Sequence, residues 1–154
     1  MCFASLLRRN EREEMNVFIV ENSLGIRASL QSVLSDMSDV KVVGQAVNEK
    51  GAIESIGVLL PDVVILDLGL QSGSGMGVLE NVKKCHAAIK VIVFTHYTDE
   101  SCIDRCKCAG ADYFFDKTFQ LMQLREILWK WSHTDRLDNL FRPDNKFNAL
   151  EQLS

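Results

Sequence analysis

Polar side chains that could carry phosphoryl chemistry stand where the apolar runs of the chain end. Asp67 closes one such run, and Glu21 and Asn22 directly follow another. Thr95 ends a third run, and Lys117 comes shortly after a run of aromatic residues. A carboxylate can act as a nucleophile, and transfer of a phosphoryl group needs mainly positioning and charge neutralisation from the protein. These residue types together predict that Asp67 accepts a phosphoryl group.

The other members of this set have defined tasks in such a reaction. Glu21 and Asp67 could bind Mg²⁺, which takes one or two carboxylates together with waters and phosphate oxygens. Lys117 would pair with the phosphoryl oxygens as a compact point charge, and Thr95 would donate its hydroxyl to another of those oxygens. Each residue alone is most often an ordinary loop residue or a helix cap, so the prediction depends on their joint placement.

The elements that must position these side chains are strands and helices in alternation. Continuous β-rich apolar runs are typical of strands that are buried on both faces of a parallel sheet. Such runs occupy residues 17–20, 63–66 and 91–94, and residues 40–47 and 113–115 complete a predicted set of five strands. Apolar residues at helical spacing lie between and after them, within residues 26–37, 53–60, 78–85, 102–109 and 121–131. This alternation predicts an α/β domain with a doubly wound, five-stranded parallel sheet, whose functional residues gather at the carboxyl ends of the strands.

Several segments share a pattern with one family of signalling proteins. They are residues 17–22, 64–70, 73–75, 93–95 and 110–117. With these segments, and over residues 16–131, the chain resembles the receiver domains of two-component response regulators. The resemblance implies a flavodoxin-like (βα)5 receiver fold and a stand-alone receiver without an output domain. It also implies a phosphorylation-dependent switch that changes its protein partners and is at most a self-phosphorylating phosphoacceptor, not an enzyme.

The resemblance assigns metal-binding roles to four positions. The acidic pair of the family falls on Glu21 and Asn22, and the phosphoacceptor falls on Asp67. The backbone carbonyl that binds the metal falls two residues later, on Gly69. The implied cofactor is Mg²⁺, held by these four residues.

The resemblance also assigns the residues that act on and sense the phosphoryl group. The switch hydroxyl falls on Thr95 and the lysine falls on Lys117, with the 22-residue spacing of the family between them. The rotating aromatic side chain falls on Phe114. We expect Thr95 to shift toward the phosphoryl oxygens on activation, and Phe114 to enter the vacated space from a more exposed rotamer.

Two departures from the family pattern bear on function. Asn22 stands where an aspartate is usual, and an amide can coordinate a metal or hold a water but contributes no charge. Phosphorylation stays the leading reading, and a pseudo-receiver that is not regulated by phosphorylation is the alternative. Gln71 replaces a proline that often follows the phosphoacceptor, and this change is expected to loosen the loop.

Composition limits the partners and the compartment. The net charge of −4 and the isoelectric point near 5.4 argue against a large basic footprint for DNA. The longest apolar runs are strand-sized, which predicts no membrane span. The five cysteines form neither a disulfide framework nor a zinc pattern, which favours a reducing cytoplasm. The expected partners are a histidine kinase or phosphotransfer protein and a downstream protein target, and a homodimer remains open.

The chain divides into three predicted parts. Residues 1–14 form an N-terminal extension, residues 15–131 form the receiver domain, and residues 132–154 form a C-terminal tail too short for the DNA-binding domain common in the family. Leu137, Leu140 and Phe141 have the spacing of one short helix, and a frayed tail is an equal alternative.

Enzymes on a similar sheet are disfavoured by individual residues. An aspartyl-phosphate phosphohydrolase would require a second aspartate where Gly69 stands. A flavin carrier would require a phosphate-binding loop where the negatively charged Glu21 stands. The glycine-rich stretch at residues 73–77 lacks the spacing of a dinucleotide-binding loop, and we interpret it as a flexible loop before a helix.

Overall fold

The computed structural model describes residues 14–133 of the 154-residue chain. The strands are β1 (Met15–Val20), β2 (Val40–Ala46), β3 (Val63–Leu66), β4 (Lys90–Thr95) and β5 (Tyr113–Asp116). The helices are α1 (Leu24–Ser35), α2 (Glu49–Leu59), α3 (Gly75–Cys85), α4 (Glu100–Cys108) and α5 (Leu121–His133). The predicted alternation of strands and helices is therefore confirmed.

All five strands are parallel and form one sheet in the order β2-β1-β3-β4-β5. The chain first moves outward from β1 to β2 and then returns past β1 to build the other half of the sheet. Strand order therefore reverses beside β1, which is where open α/β sheets bind their ligands. The strand residues Val20 and Leu66 are register partners, and so are Thr95 and Asp116. The carboxyl ends of these strands consequently lie along one edge.

The core has two layers because both faces of the sheet are covered by helices. Along β1, Val17 and Ile19 pack with the residues of α1 and α5, whereas Phe18 and Val20 pack with those of α2, α3 and α4. Burial on both faces explains why β1, β3 and β4 contain continuous apolar runs, whereas the edge strand β2 carries the exposed residues Lys41 and Gln45. The doubly wound α/β fold is thus confirmed.

Polar caps fix where the helices begin. The Ser23 hydroxyl accepts a hydrogen bond from the Ile26 N–H at 3.4 Å and caps α1. Asn48, Ser74 and Asp99 cap α2, α3 and α4 in the same way. These caps set the direction in which each helix leaves the functional edge of the sheet.

The ends of the described region differ slightly from the predicted domain limits. Helix α5 continues to His133, two residues beyond the expected boundary at residue 131. Residues 1–13 and the short helix expected around Leu137, Leu140 and Phe141 lie outside the described residues. From residue 14 to residue 133, no helix has both the length and the apolar character needed to cross a bilayer.

The cysteines of α3 and α4 differ in their exposure to solvent. Cys106 is fully buried in the core, and burial raises the pKa of its thiol to about 11. Cys102 is half-buried, and a hydrogen bond with Asp99 raises the pKa of its thiol as well. Cys85 and Cys108 are exposed. Cys106 is therefore a core residue of the domain.

We expect an alkylating reagent at neutral pH to modify Cys85 and Cys108 well before Cys106. The thiolate is the reactive species, and a thiol with a pKa of about 11 is almost entirely protonated under these conditions. Peptide mass mapping over a time course measures the three rates, and a urea-unfolded sample, in which the thiols become equivalent, is the control. Equal rates in the folded protein would contradict the burial of Cys106.

Candidate phosphoacceptor site

Three of the predicted side chains meet in one buried cluster at the carboxyl edge of the sheet. The Lys117 ammonium lies 2.8 Å from Asp67 Oδ2 and also contacts Glu21 Oε2. The side chains of Lys117, Glu21 and Asp67 are 4%, 2% and 7% exposed, respectively. The backbone brings them together, because Glu21, Asp67 and Lys117 each follow directly on a strand of the same sheet. One ammonium group therefore bridges two carboxylates.

The charges of this cluster do not balance. Burial raises the pKa of Glu21 and the negative charge of Asp67 raises it further, although the hydrogen bonds from Lys117 and from the Ser23 N–H act in the opposite direction. Two carboxylates against one ammonium leave one negative charge among these three groups. Because an uncompensated buried charge is costly, a cation would stabilise the ionised form of the cluster.

The oxygens available here suit a hard cation rather than a softer metal. Between residues 14 and 133, no group of three or more His, Cys, Asp or Glu side chains could hold a metal ion. Mg²⁺ does not require such a group, because it is bound through one or two carboxylates and keeps several waters. Glu21 and Asp67 supply those carboxylates, so the residues present fit Mg²⁺.

The Asp67 carboxylate is held at both oxygens. Oδ2 contacts Lys117, and Oδ1 accepts a hydrogen bond from the Gly69 N–H at 3.3 Å. The Asp67 N–H donates to the Val20 carbonyl at 2.9 Å, and this bond fixes the Asp67 backbone against the end of β1. Asp67, the predicted nucleophile, and Gly69, a predicted metal-binding residue, are therefore neighbours.

Glu21 is fixed by its own loop and by a residue that the sequence analysis did not identify. Glu21 Oε1 accepts from the Ser23 N–H at 3.0 Å, and the Arg27 guanidinium donates to the Glu21 carbonyl at 3.0 Å. The available signal was a basic residue in α1 just after the acidic pair. Asn22 directly follows Glu21 and is exposed to solvent.

The predicted switch residues are both buried. The Thr95 hydroxyl accepts a hydrogen bond from the Tyr97 N–H at 3.3 Å. Phe114 packs in the core layer of α2, α3 and α4, and its movement on activation stays a prediction. Burial of a phenylalanine ring is favourable because the ring has no polar group to interact with water.

A further aromatic side chain lies beside the loop that follows Asp67. A Cβ atom on Gly69 would lie 2.9 Å from the Tyr97 ring, which is itself mostly exposed. The sequence analysis did not identify Tyr97, because a single aromatic residue in a loop carries no periodic signal. Glycine at position 69 allows this ring to approach the backbone that follows Asp67.

The glycine-rich stretch is explained by close approach, so the expectation of a flexible loop is corrected. Gly75 and Gly77 belong to the first turn of α3. A Cβ atom on Gly75 would lie 2.2 Å from the Asp67 carbonyl oxygen, and one on Gly77 would lie 2.1 Å from a carboxylate oxygen of Glu49. Gly73 has a φ of +77° in the left-handed region, which favours glycine.

Replacement of Gly75 by alanine should lower the free energy of unfolding by about 3 kcal/mol, since backbone must move to admit the new methyl group. Urea unfolding measures the change. The matched control is Gly25→Ala in α1, where a Cβ atom meets nothing within 4 Å. That variant should gain about 0.5–1 kcal/mol, because alanine is the better helix former. Similar effects of the two substitutions would contradict the close packing of α3 against Asp67.

The sheet order and the buried carboxylate–lysine cluster at its carboxyl edge together define a receiver-type α/β protein. The sequence profile of the response regulator receiver domain matches residues 17–129. Because this match spans more than half of the 154 residues, the chain belongs to the response regulator receiver family.

Individual relatives agree with this assignment. The response regulator protein VraR of Staphylococcus saprophyticus is 32% identical over 116 residues, which are 75% of this chain and 56% of VraR. The chain thus spans little more than half the length of this relative.

Solved structures share the fold. A DNA-binding response regulator of the LuxR family from Staphylococcus aureus aligns with a TM-score of 0.71 and 24% identity, covering 77% of this chain and 99% of that one. The CheX–CheY–BeF3–Mg²⁺ complex from Borrelia burgdorferi contains a chain that aligns with a TM-score of 0.66 and 20% identity, covering 75% and 90%.

Proposed function

We propose that Asp67 accepts a phosphoryl group from a histidine kinase or phosphotransfer protein, and that the phosphorylated domain then changes its protein partners. Membership in the receiver family supports a phosphorylation-dependent signalling role in a two-component system. The observation that carries the proposal is the contact of Lys117 with both Asp67 and Glu21, whose side chains are all buried. That arrangement provides a nucleophile, a cation for the phosphoryl oxygens and a second carboxylate for a metal.

In the proposed reaction, a carboxylate oxygen of Asp67 forms a bond to phosphorus. The phosphorus–nitrogen bond of the donor's phosphohistidine breaks, and its electron pair returns to the imidazole nitrogen. Lys117 would pair with one oxygen of the transferred group, and Thr95 would donate its hydroxyl to another. The protein would act as a self-phosphorylating phosphoacceptor at most, rather than as an enzyme with a substrate of its own.

We further propose that the cofactor is Mg²⁺, which when bound would neutralise charge on the phosphoryl oxygens. Glu21 and Asp67 would hold it through carboxylate oxygens, Gly69 through its backbone carbonyl, and Asn22 through its amide oxygen or a water. One relative supports this choice of metal, because its structure is described as a complex with BeF3 and Mg²⁺. The uncompensated negative charge between Glu21 and Asp67 supports it independently.

We propose that this chain acts on proteins rather than DNA. The net charge of −4 disfavours contact with phosphate backbones, although a LuxR-family relative is described as DNA-binding. Salt-sensitive, sequence-selective binding of this chain to duplex DNA would overturn the proposal. The free thiols at Cys85, Cys102, Cys106 and Cys108 favour the cytoplasm as its compartment.

Incubation with a small-molecule phosphodonor and millimolar Mg²⁺ tests the proposal without knowledge of the cognate kinase. Intact mass spectrometry should show the gain of one phosphoryl group, and chelation of the metal should prevent it. An unchanged mass under conditions that label an established receiver protein would contradict the proposal.

A pseudo-receiver is the second candidate, and Asn22 is the observation that favours it. An amide would add no charge to the proposed metal site, and Asn22 is exposed to solvent. The fold and its surfaces would then serve as an interaction module that phosphorylation does not regulate. In that case the wild-type protein should remain unlabelled in the same experiment.

A further inference from the structure

The loop that follows Asp67 is fastened to a neighbouring loop by an acidic side chain. Glu49, the first residue of α2, accepts a hydrogen bond from the Ser74 N–H through Oε2 at 2.7 Å. The backbone N–H of Glu49 donates to the Ser72 carbonyl at 3.0 Å. Glu49 thus contacts the loop in both directions, through its side chain and through its backbone.

Two glycines, Gly73 and Gly77, pack closely against the Glu49 side chain. A Cβ atom on Gly73 would lie 2.5 Å from Glu49 Cβ, and one on Gly77 would lie 2.1 Å from Glu49 Oε1. Substitution at either position would require the Glu49 side chain to move. Because two glycines approach the same side chain this closely, the Glu49 side chain occupies a defined position against the loop.

Ser74 connects the Glu49 contact with the backbone at Gly69. Ser74 forms an isolated antiparallel bridge with Gly69, and the Gly75 N–H donates to the Leu68 carbonyl at 3.0 Å. The two ends of the loop are therefore paired with each other. Any displacement of Ser74 would be felt at Gly69.

Gln71 adds a second fastening to the same neighbour. Its backbone N–H donates to the Val47 carbonyl at 3.2 Å, a bond that proline could not make because it has no N–H. The loss of the proline was expected to loosen the loop, and the structure instead shows a hydrogen bond from this position. Although the loop lacks the proline at position 71, hydrogen bonds to residues 47 and 49 hold it in place.

We propose that Glu49 is a positioning residue for the metal site: it orients the Gly69 carbonyl through Ser74 without touching the metal or the phosphoryl group. The inference rests on the proposed function, since it assumes that the Gly69 carbonyl binds Mg²⁺. Groups that orient metal ligands from behind commonly change metal affinity by about 10–100-fold.

Calorimetric titration with Mg²⁺ alone tests the inference. Glu49→Ala should weaken Mg²⁺ binding about tenfold, while Glu49→Gln, whose amide oxygen can still accept from Ser74, should largely restore it. Glu54→Ala is the matched control, because it removes the same charge from an exposed position on the same helix. Unchanged affinity in Glu49→Ala, or equal losses in Glu49→Ala and Glu54→Ala, would overturn the inference.

Amide exchange at Ser74 and Gly69, followed by NMR without metal, gives a readout that is independent of binding. Loss of a hydrogen bond to a charged group should speed exchange of the Ser74 amide by about tenfold or more in Glu49→Ala, with a smaller increase at Gly69. A merely structural role in α2 would lower global stability and leave the ratio between these amides and the core amides unchanged. That result would overturn the inference.

The two failures are distinguishable. If the wild-type protein binds no Mg²⁺, the proposed metal-dependent function fails, and exchange at Ser74 and Gly69 then decides whether Glu49 positions the loop. Faster exchange at both amides in Glu49→Ala supports the positioning role, and unchanged exchange overturns it.

Discussion

Asp67→Asn should abolish the gain of a phosphoryl group that intact mass spectrometry detects in the wild-type protein. An amide nitrogen or oxygen is a far weaker nucleophile than a carboxylate. The substitution also removes one of the two negative charges in contact with Lys117. The expected loss is complete, because Asp67 is the one proposed acceptor. Undiminished labelling of the variant would exclude Asp67 as the site.

The control separates chemistry from folding. Asp104→Asn makes the same chemical change at an exposed position on α4 and should label like the wild type. Urea unfolding of both variants should show that each remains folded. A fall in labelling that occurs in both variants would point to a general effect of the substitutions.

Asn22→Asp should have the second-largest effect, on the affinity for Mg²⁺. A new carboxylate about 4 Å from the ion would gain about 4 kcal/mol at an effective dielectric of about 20. Because position 22 is exposed, solvent screening and repulsion from Glu21 and Asp67 reduce the gain to about 1–2 kcal/mol. This corresponds to roughly five- to thirtyfold tighter binding, measured by titration with Mg²⁺.

The same variant distinguishes the two candidate functions. If the wild type is an active switch, both proteins should label at millimolar Mg²⁺, and the variant should differ mainly in the lifetime of the phosphoryl group. If the wild type is a pseudo-receiver, only the variant could gain a label. Equal affinity and equal lifetime in both proteins would show that residue 22 does not face the metal.

The alternation of strands and helices and the convergence of the site could be predicted because they depend on regular patterns. Unalternating apolar runs indicate strands buried on both faces, and the residue after each strand must then lie at one edge of a parallel sheet. Glu21 and Asp67 follow from this rule, whereas Lys117 lies two residues beyond the predicted run at 113–115. The structure brings Lys117 into contact with both carboxylates. The roles of Gly69 and Asn22 came from the family resemblance, and they remain predictions.

The contacts that could not be predicted depend on how loops lie against each other. Glu49 looks in the sequence like an ordinary acidic residue in the first turn of a helix, where it is favourable in any case. Its contact with Ser74 joins residues 25 positions apart, and only the folded sheet brings the two loops together. Gly75 and Gly77 were predicted to be flexible because the sequence does not show which atoms lie against them. In the structure they allow close approach of the Asp67 carbonyl and of Glu49, respectively.

The burial of Phe114 follows from its place in the apolar run at residues 113–115. Its role as a rotating switch came from the family resemblance and stays a prediction. In the structure Phe114 and Thr95 are both buried.

Direct chemical mapping of the phosphoryl group tests the central claim most sharply. Borohydride reduces an aspartyl phosphate to homoserine, so that the modified position can be read from the fragment masses of a peptide. After treatment with phosphodonor and Mg²⁺, homoserine should be found at position 67 and should be missing when Mg²⁺ is chelated. Homoserine at another aspartate, or at none in a sample that has gained a phosphoryl group, would contradict the assignment of Asp67 as the phosphoacceptor.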